Sequence, residues 1–277
     1  MAAPLTTKAS FACLLVLAAL LGGCREDPAL VEVYKADRLF AEGRAEEAIV
    51  AYLAIPETAG AWKAYGAWRA GLIYRDALHD DARAEAALLD CAKTFTESDW
   101  GYACLVGLGD LRRETQRSRL AIDAYRSAIA SRPNGNYVEH CLYHSGLAYL
   151  HLGESEQARV EWKELTARYP KSVFAPSVAL ERARSFDLQG DHKAALKEFR
   201  TVQKKHPHHS VAALAAFGEA ESLEQLGRFD DAAKAFEAVL AVHPNPSAVL
   251  LRIERLTLRG MRRARPKTFQ PDSGRRR

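Results

Sequence analysis

The sequence predicts an all-α chain, a solenoid of about six stacked helix pairs closed by a C-terminal helix. Three observations predict it. Four prolines stand at 133, 170, 207 and 244, each 37 residues from the next, and four alanines at 121, 158, 195 and 232 keep the same spacing. Each alanine is followed four residues later by an aromatic (Tyr125, Trp162, Phe199, Phe236) and preceded by twelve by a small residue (Gly109, Gly146, Ala183, Ala220). Gly153, Gly190 and Gly227 each stand five before one of those alanines. A fixed period of this length marks a repeat architecture, in which each unit buries its apolar face only against its neighbours.

The stretch "ALAAFGEAESLEQLGRFDDAAKAFEAVLAVHP" shows how one unit is built. A first helix runs through Ala216, Ala220 and Leu223 and ends at Gly227, a residue that tolerates positive φ. Asp230 or Asp231 opens a second helix, where acidic side chains suit the N-terminal end of the helix dipole. Ala232, Phe236, Val239 and Leu240 form its inner stripe, and Pro244 prevents its continuation. Two less regular units precede the four regular ones. The first has Ala36, Leu39, Gly43, Ala48 and Tyr52 at matching offsets, after an opening helix near Leu30. The second has Gly71, Tyr74, Ala84 and Leu88 but lacks the turn glycine and the final proline. The third unit carries Gln116 in the glycine place, and its charged turn "RRETQRSR" is expected to be longer. After Pro244, Ser247 is the expected cap of a closing helix of about 18 residues, read from its apolar spacing. Val249, Leu250, Ile253 and Leu256 would cover the end of the stack. From Lys267 onward the chain is polar and charge-rich, and disorder is expected.

The order of small residue, aromatic or leucine, glycine, alanine, aromatic and proline resembles the tetratricopeptide repeat. The resemblance implies a right-handed superhelix of tetratricopeptide-like helix pairs over residues 30–246, with a capping helix at 247–265 and a basic tail at 266–277. The period of 37 exceeds the common 34, the added residues falling in stretches such as "YPKSVFAP" and "HPHHSVAA". That variant is similar to repeats of bacterial envelope proteins, the Tol–Pal-associated periplasmic protein and the barrel-assembly lipoprotein of the outer membrane. In the repeat family the second, fifth, ninth and twelfth positions of a unit touch ligand peptides. Carried across, these are Asp110 and Arg113, His140 and Tyr143, Arg184 and Asp187, then Phe217, Glu221 and Glu224. Mixed charge with two aromatics suits a peptide or protein partner.

The N-terminus speaks to location. Phe11 to Leu21 is an apolar run of eleven residues behind Lys8. That is too short for a bilayer core, which needs roughly 20 residues, and it fits the h-region of a secretory signal. Leu21-Gly22-Gly23-Cys24 resembles the lipobox of bacterial lipoproteins, which implies a signal at 1–23, acylation of Cys24 and a polar spacer at 24–29. Several acyl chains make such an anchor stable where one does not. Arg25 stands where that family often places an inner-membrane retention aspartate, so an outer-membrane, periplasm-facing location is expected.

Charge and chemistry narrow the function further. The net charge of +4 hides an uneven distribution, because residues 259–277 carry +7 and residues 24–258 carry −4. An acidic body with no basic face interleaved with aromatics argues against nucleic acid as a partner. No HExxH, GxSxG or GxxxxGK motif occurs. "GLGD" at 107–110 lacks the third glycine of a nucleotide loop. His140 and His144, one helical turn apart, could share a metal ion, but the sequence indicates no third ligand, and no metal or cofactor is expected. "HPHH" at 206–209 reads as solvated. Cys91 and Cys104 flank the turn near Glu97, where a disulfide between antiparallel helices is plausible. Cys104 and Cys141 occupy equivalent places on successive units, where helices stand about 8–10 Å apart, too far for a bond that needs Cα atoms within about 7 Å. The expectation is a non-enzymatic, membrane-anchored scaffold for envelope proteins or peptides. The alternative is a structural protein that associates with peptidoglycan or anionic envelope lipid through its basic tail. Deleting residues 266–277 would then abolish salt-sensitive sedimentation with envelope fractions, and unchanged sedimentation would exclude it.

Overall fold

The structure, a computed structural model, describes residues 27–264, with side chains through residue 258. Cys24, the apolar run before it and the tail at 266–277 lie outside the described residues. Among the described residues every regular element is helical. The chain divides into two compact units at Gly107 and Leu108, within one helix. Unit 1 holds α1 (Pro28–Ala41), α2 (Ala45–Leu53), a 3₁₀ turn (Glu57–Ala59), α3 (Ala61–Asp76), α4 (Asp81–Thr94) and the first half of α5 (Asp99–Glu114). Unit 2 holds the rest of α5, then α6 (Ser118–Ser131), α7 (Val138–His151), α8 (Ser155–Arg168), α9 (Ala175–Leu188), α10 (His192–Lys205), α11 (Val211–Gln225), α12 (Phe229–Val239) and α13 (Pro246–Ala264). The six expected helix pairs and the closing helix are all present.

The lattice of the sequence is the core of each unit. Ala121, Ala158, Ala195 and Ala232 are fully buried, as are Tyr125, Trp162 and Phe236, with Phe199 at 2% exposure. The small positions work as expected. A Cβ on Gly109 would stand 2.5 Å from Tyr125 Cε1, and one on Gly146 would stand 2.2 Å from Trp162 Nε1. Both glycines therefore let a large ring lie flat against the backbone of the paired helix. Unit 1 repeats the scheme with Ala36, Ala48 and Tyr52 in one buried cluster. The Tyr52 hydroxyl donates to Asp37 and the Tyr125 hydroxyl donates to Asp110, so each pair is tied by a tyrosine to an aspartate fifteen residues earlier.

The turns correct one expectation. Gly43, Gly153, Gly190 and Gly227 have φ between +76° and +80°. Gln116 takes the same left-handed backbone at φ +60°, and His79, in the corresponding place of the second unit, at φ +51°. The turn at Gln116 is not longer. Its N–H groups close the helix as those of Gly153 and Glu154 do, with Gln116 donating to the Arg113 carbonyl and Arg117 to that of Arg112. The hydrogen bonds outweigh the steric cost of a side chain in that conformation, roughly 1–2 kcal/mol. Gln116→Gly removes that cost and adds about 0.5–1 kcal/mol of backbone entropy loss on folding. The variant is expected to gain between zero and about 1.5 kcal/mol in a urea titration, and a loss would contradict this account of the turn.

The closing helix also departs in detail. Its N-terminal cap is Asn245, whose Oδ1 accepts from Ala248 N at 3.2 Å, and not Ser247. Pro246 then occupies the first helical position, where its missing N–H costs nothing. Val249 and Leu256 are buried against α12, but Leu250 is half exposed. Among the described residues no helix is long and apolar enough to cross a membrane.

Unit 1 is stapled. Cys91 on α4 and Cys104 on α5 form a disulfide with Cα atoms 6.1 Å apart. Cys141 is a buried free thiol, and burial and the Asp110 carboxylate push its pKa up to about 12.

Candidate functional site

The first helices of the pairs in unit 2 carry the residues singled out from the sequence, and the structure sorts them into two groups. The first lies on α5 and α7. The i, i+4 spacing stacks His140 and His144 on one face of α7, ring centroids 4.2 Å apart. Asp110, from α5, accepts from Tyr125 Oη at 2.6 Å and lies 2.7 Å from His140 Nε2. Burial alone would raise the Asp110 carboxyl, but hydrogen bonds from His140 and Tyr125 and the charge of His140 hold it below its ordinary value. Burial lowers the His144 imidazole to about 4, with the charges of His140 and Arg113 acting in the same direction. The Nδ1 of His144 is closed off from solvent and has no hydrogen-bond partner. Tyr143 meets the His144 ring edge-on, centroids 5.0 Å apart, and stacks on Phe174, centroids 4.7 Å apart. Arg113 pairs with Glu114.

The second group lines a cleft of about 430 Å³ between α9 and α11. Arg184, Asp187, Phe217 and Glu221 converge there, joined by Glu181, Leu188 and His243. The charges are mostly held by neighbours. Arg184 bonds Glu181 at 2.6 Å, and Asp187 accepts from Ser222 at 3.3 Å and pairs with His192 at 2.7 Å. Glu221 pairs at 2.5 Å with Arg252 of α13, which also approaches Glu224 at 3.7 Å. Burial still raises the Glu221 carboxyl despite Arg252. Phe217 packs edge-on to Phe236 and against the His243 ring, which forms one wall of the cleft. Nine residues expected on one face thus split, with Glu224 behind the cleft beside Arg252.

A larger recess of about 630 Å³ is lined by Pro207, His208, His209, Ala216, Ala235 and Val242. Its one carboxylate, Glu219, is engaged by Arg200 and Gln203. Gln203, His208, His209 and Ser210 also line it, whereas the α9–α11 cleft sets the Phe217 ring beside side chains of both charge signs.

Several neighbours escaped the sequence reading. Phe174 and His243 lie in the junctions between units, outside the helical positions that the family resemblance carries over. Arg252 sits on the closing helix, which was read as a cap alone. Unit 1 holds a half-buried array of Trp62, Tyr65, Trp68 and Trp100, with Tyr65 and Trp68 at 4.9 and 5.0 Å from Trp100. The clustering of tryptophans over 62–68 was the available signal for it.

Comparison with known proteins gives the same fold. Two tetratricopeptide repeat family models match, one over residues 140–172 and the other over residues 188–252. A tetratricopeptide repeat protein from Parabacteroides merdae superposes with a TM-score of 0.63 at 16% identity, covering 84% of this chain and 87% of its own. PilF of Pseudomonas aeruginosa gives 0.57 at 14% identity, covering 83% and 97%. MamA of Desulfovibrio magneticus gives 0.52 at 17%, covering 65% and 96%. At such identities the likeness is one of fold. No curated protein matches the sequence.

Proposed function

We propose that this tetratricopeptide-repeat chain is a non-enzymatic scaffold of the bacterial envelope, anchored by lipid at Cys24 and docking protein partners on the first-helix face of unit 2. Repeats of this kind bind proteins in general. The observation that carries the reading here is the α9–α11 cleft, where Phe217 meets Arg184, Asp187 and Glu221. An apolar wall beside both charge signs suits a peptide with one apolar anchor and polar flanks. Because the charges are already paired within the chain, a partner must exchange ion pairs rather than fill bare ones. Such pairs, half-exposed, are worth at most about 1 kcal/mol each, so the exchange is cheap and the apolar anchor dominates.

The anchor rests on the lipobox resemblance at Leu21–Cys24, and the outer-membrane, periplasm-facing location on Arg25 after it. A fatty-acid analogue should label the wild type and spare Cys24→Ala. Equal labelling of both, or labelling of neither, would end the anchor reading. The docking role predicts that Arg184→Glu with Phe217→Ala loses the proteins recovered with wild-type chain from envelope fractions, while its circular dichroism shows the helical fold retained. Unchanged recovery by this folded variant would exclude the cleft.

A further inference from the structure

We infer that Asp110, His140 and His144 form a binding site for one first-row divalent cation, of the zinc or cobalt class, on the α5–α7 face of unit 2. The sequence offered two imidazoles at i, i+4 and no third ligand. Folding supplies the third, a carboxylate thirty residues earlier in the chain, brought to His140 Nε2 at 2.7 Å. One ligand atom from each residue lies within 4.8 Å of the other two. A point therefore exists no farther than about 2.8 Å from all three, and metal–ligand bonds of about 2.0–2.2 Å need side-chain shifts below an ångström.

A second observation points to a ligand. The His144 ring is partly buried beside His140 and Tyr125, yet its Nδ1 has no hydrogen-bond partner and no access to solvent. A buried polar atom left unmet costs roughly 1–3 kcal/mol, and a cation ligated through Nδ1 would meet it. The set also has outer support, because Tyr125 Oη holds the Asp110 carboxylate at 2.6 Å as partners of metal-bound carboxylates do. Two imidazoles and one carboxylate favour zinc, cobalt, nickel or copper over magnesium or calcium, which take oxygen ligands. Three protein ligands leave further coordination positions for water or a ligand group. The ligating imidazole nitrogens must be free of protons, so affinity should fall at acid pH. Arg113, whose charge reaches His144, opposes the cation and limits the affinity.

The test uses untagged full-length protein, stripped with chelator and titrated with Zn²⁺ alone, then with Co²⁺. The expected result is one ion per chain, a rise in the thermal midpoint on adding Zn²⁺, and a visible Co²⁺ absorption band of low-symmetry nitrogen and oxygen coordination. His140→Ala and His144→Ala should each weaken Zn²⁺ binding by more than the roughly 10–100-fold that loss of a supporting partner costs. Arg113→Gln should tighten it, and replacing His206, His208 and His209 together by alanine should leave it unchanged. Because a histidine variant could misfold, each is checked by circular dichroism, and the Co²⁺ band of the wild type stands as an independent reading. No stoichiometric binding by wild type, binding unchanged in the folded histidine variants, binding not tightened by Arg113→Gln, or binding lost in the 206–209 variant would each overturn the site.

Discussion

Alanine in place of Trp162 is expected to remove about 3–5 kcal/mol from the stability of unit 2, the range for truncating a large buried aromatic. The indole is fully buried among Ile122, Val138, Leu142 and Leu165. It lies against Gly146, where even a methyl group would collide with it. Its Nε1–H donates to the Tyr143 carbonyl at 3.1 Å. Alanine would therefore leave a cavity and remove that hydrogen bond within one helix pair. The loss should also reach the binding face, because the bond to Tyr143 helps fix the α7 turn that carries His140 and His144. Urea unfolding followed by circular dichroism reads the effect. Gly146→Ala, which overpacks the same contact from the other side, should cost about 1–3 kcal/mol. A loss below 1 kcal/mol for Trp162→Ala would mean that the repeat lattice does not carry the core.

Replacing both Cys91 and Cys104 by serine is expected to cost unit 1 about 3 kcal/mol. The two residues are thirteen apart and the bond joins α4 to α5. Closing a loop of that length removes entropy from the unfolded chain worth about 3 kcal/mol. A reductant should produce the same loss in the wild type and none in the double variant. Cys141 cannot substitute as a partner, since it is buried and its thiol is held protonated far above neutral pH. Equal melting of oxidised and reduced wild type would remove the disulfide from the account.

Much of this fold was legible in the sequence because the repeat constrains the same offsets several times over. Ala158, Trp162 and Gly146 could be assigned to the core before any coordinates, since their counterparts at one period's distance had the same size and polarity. The misses are positions set by hydrogen-bond geometry or by contacts between units. Gln116 looked like a disrupted turn, yet its backbone N–H groups make the same bonds as those of the glycine turns, and a glutamine side chain tolerates the conformation at modest cost. Asn245 and Ser247 are both good caps, and only the start of α13 at Pro246 decides between them. Leu250 fits the apolar spacing but is half exposed, because the buried face of α13 runs through Val249 and Leu256.

The candidate site was legible by position and not by state. The family resemblance makes Asp110, Asp187 and Glu221 contacts for a partner peptide. The structure shows them held within the chain by Tyr125 and His140, by Ser222 and His192, and by Arg252. Those partners lie 5 to 35 residues away, and a pattern read along one helix cannot locate them. The same reason hid the third member of the His140 and His144 group. Separation along the chain, and not weakness of the motif, concealed it.

The central claim is that the first-helix face of unit 2 docks a protein. A photoreactive amino acid placed at Phe217, and for comparison at Val173, which is 83% exposed away from the cleft, tests it in living cells. The account predicts a discrete crosslinked species from position 217 that is absent from position 173 and disappears when Arg184→Glu is added. The same species from both positions, or none from position 217 in chain that is folded and exported, would contradict it.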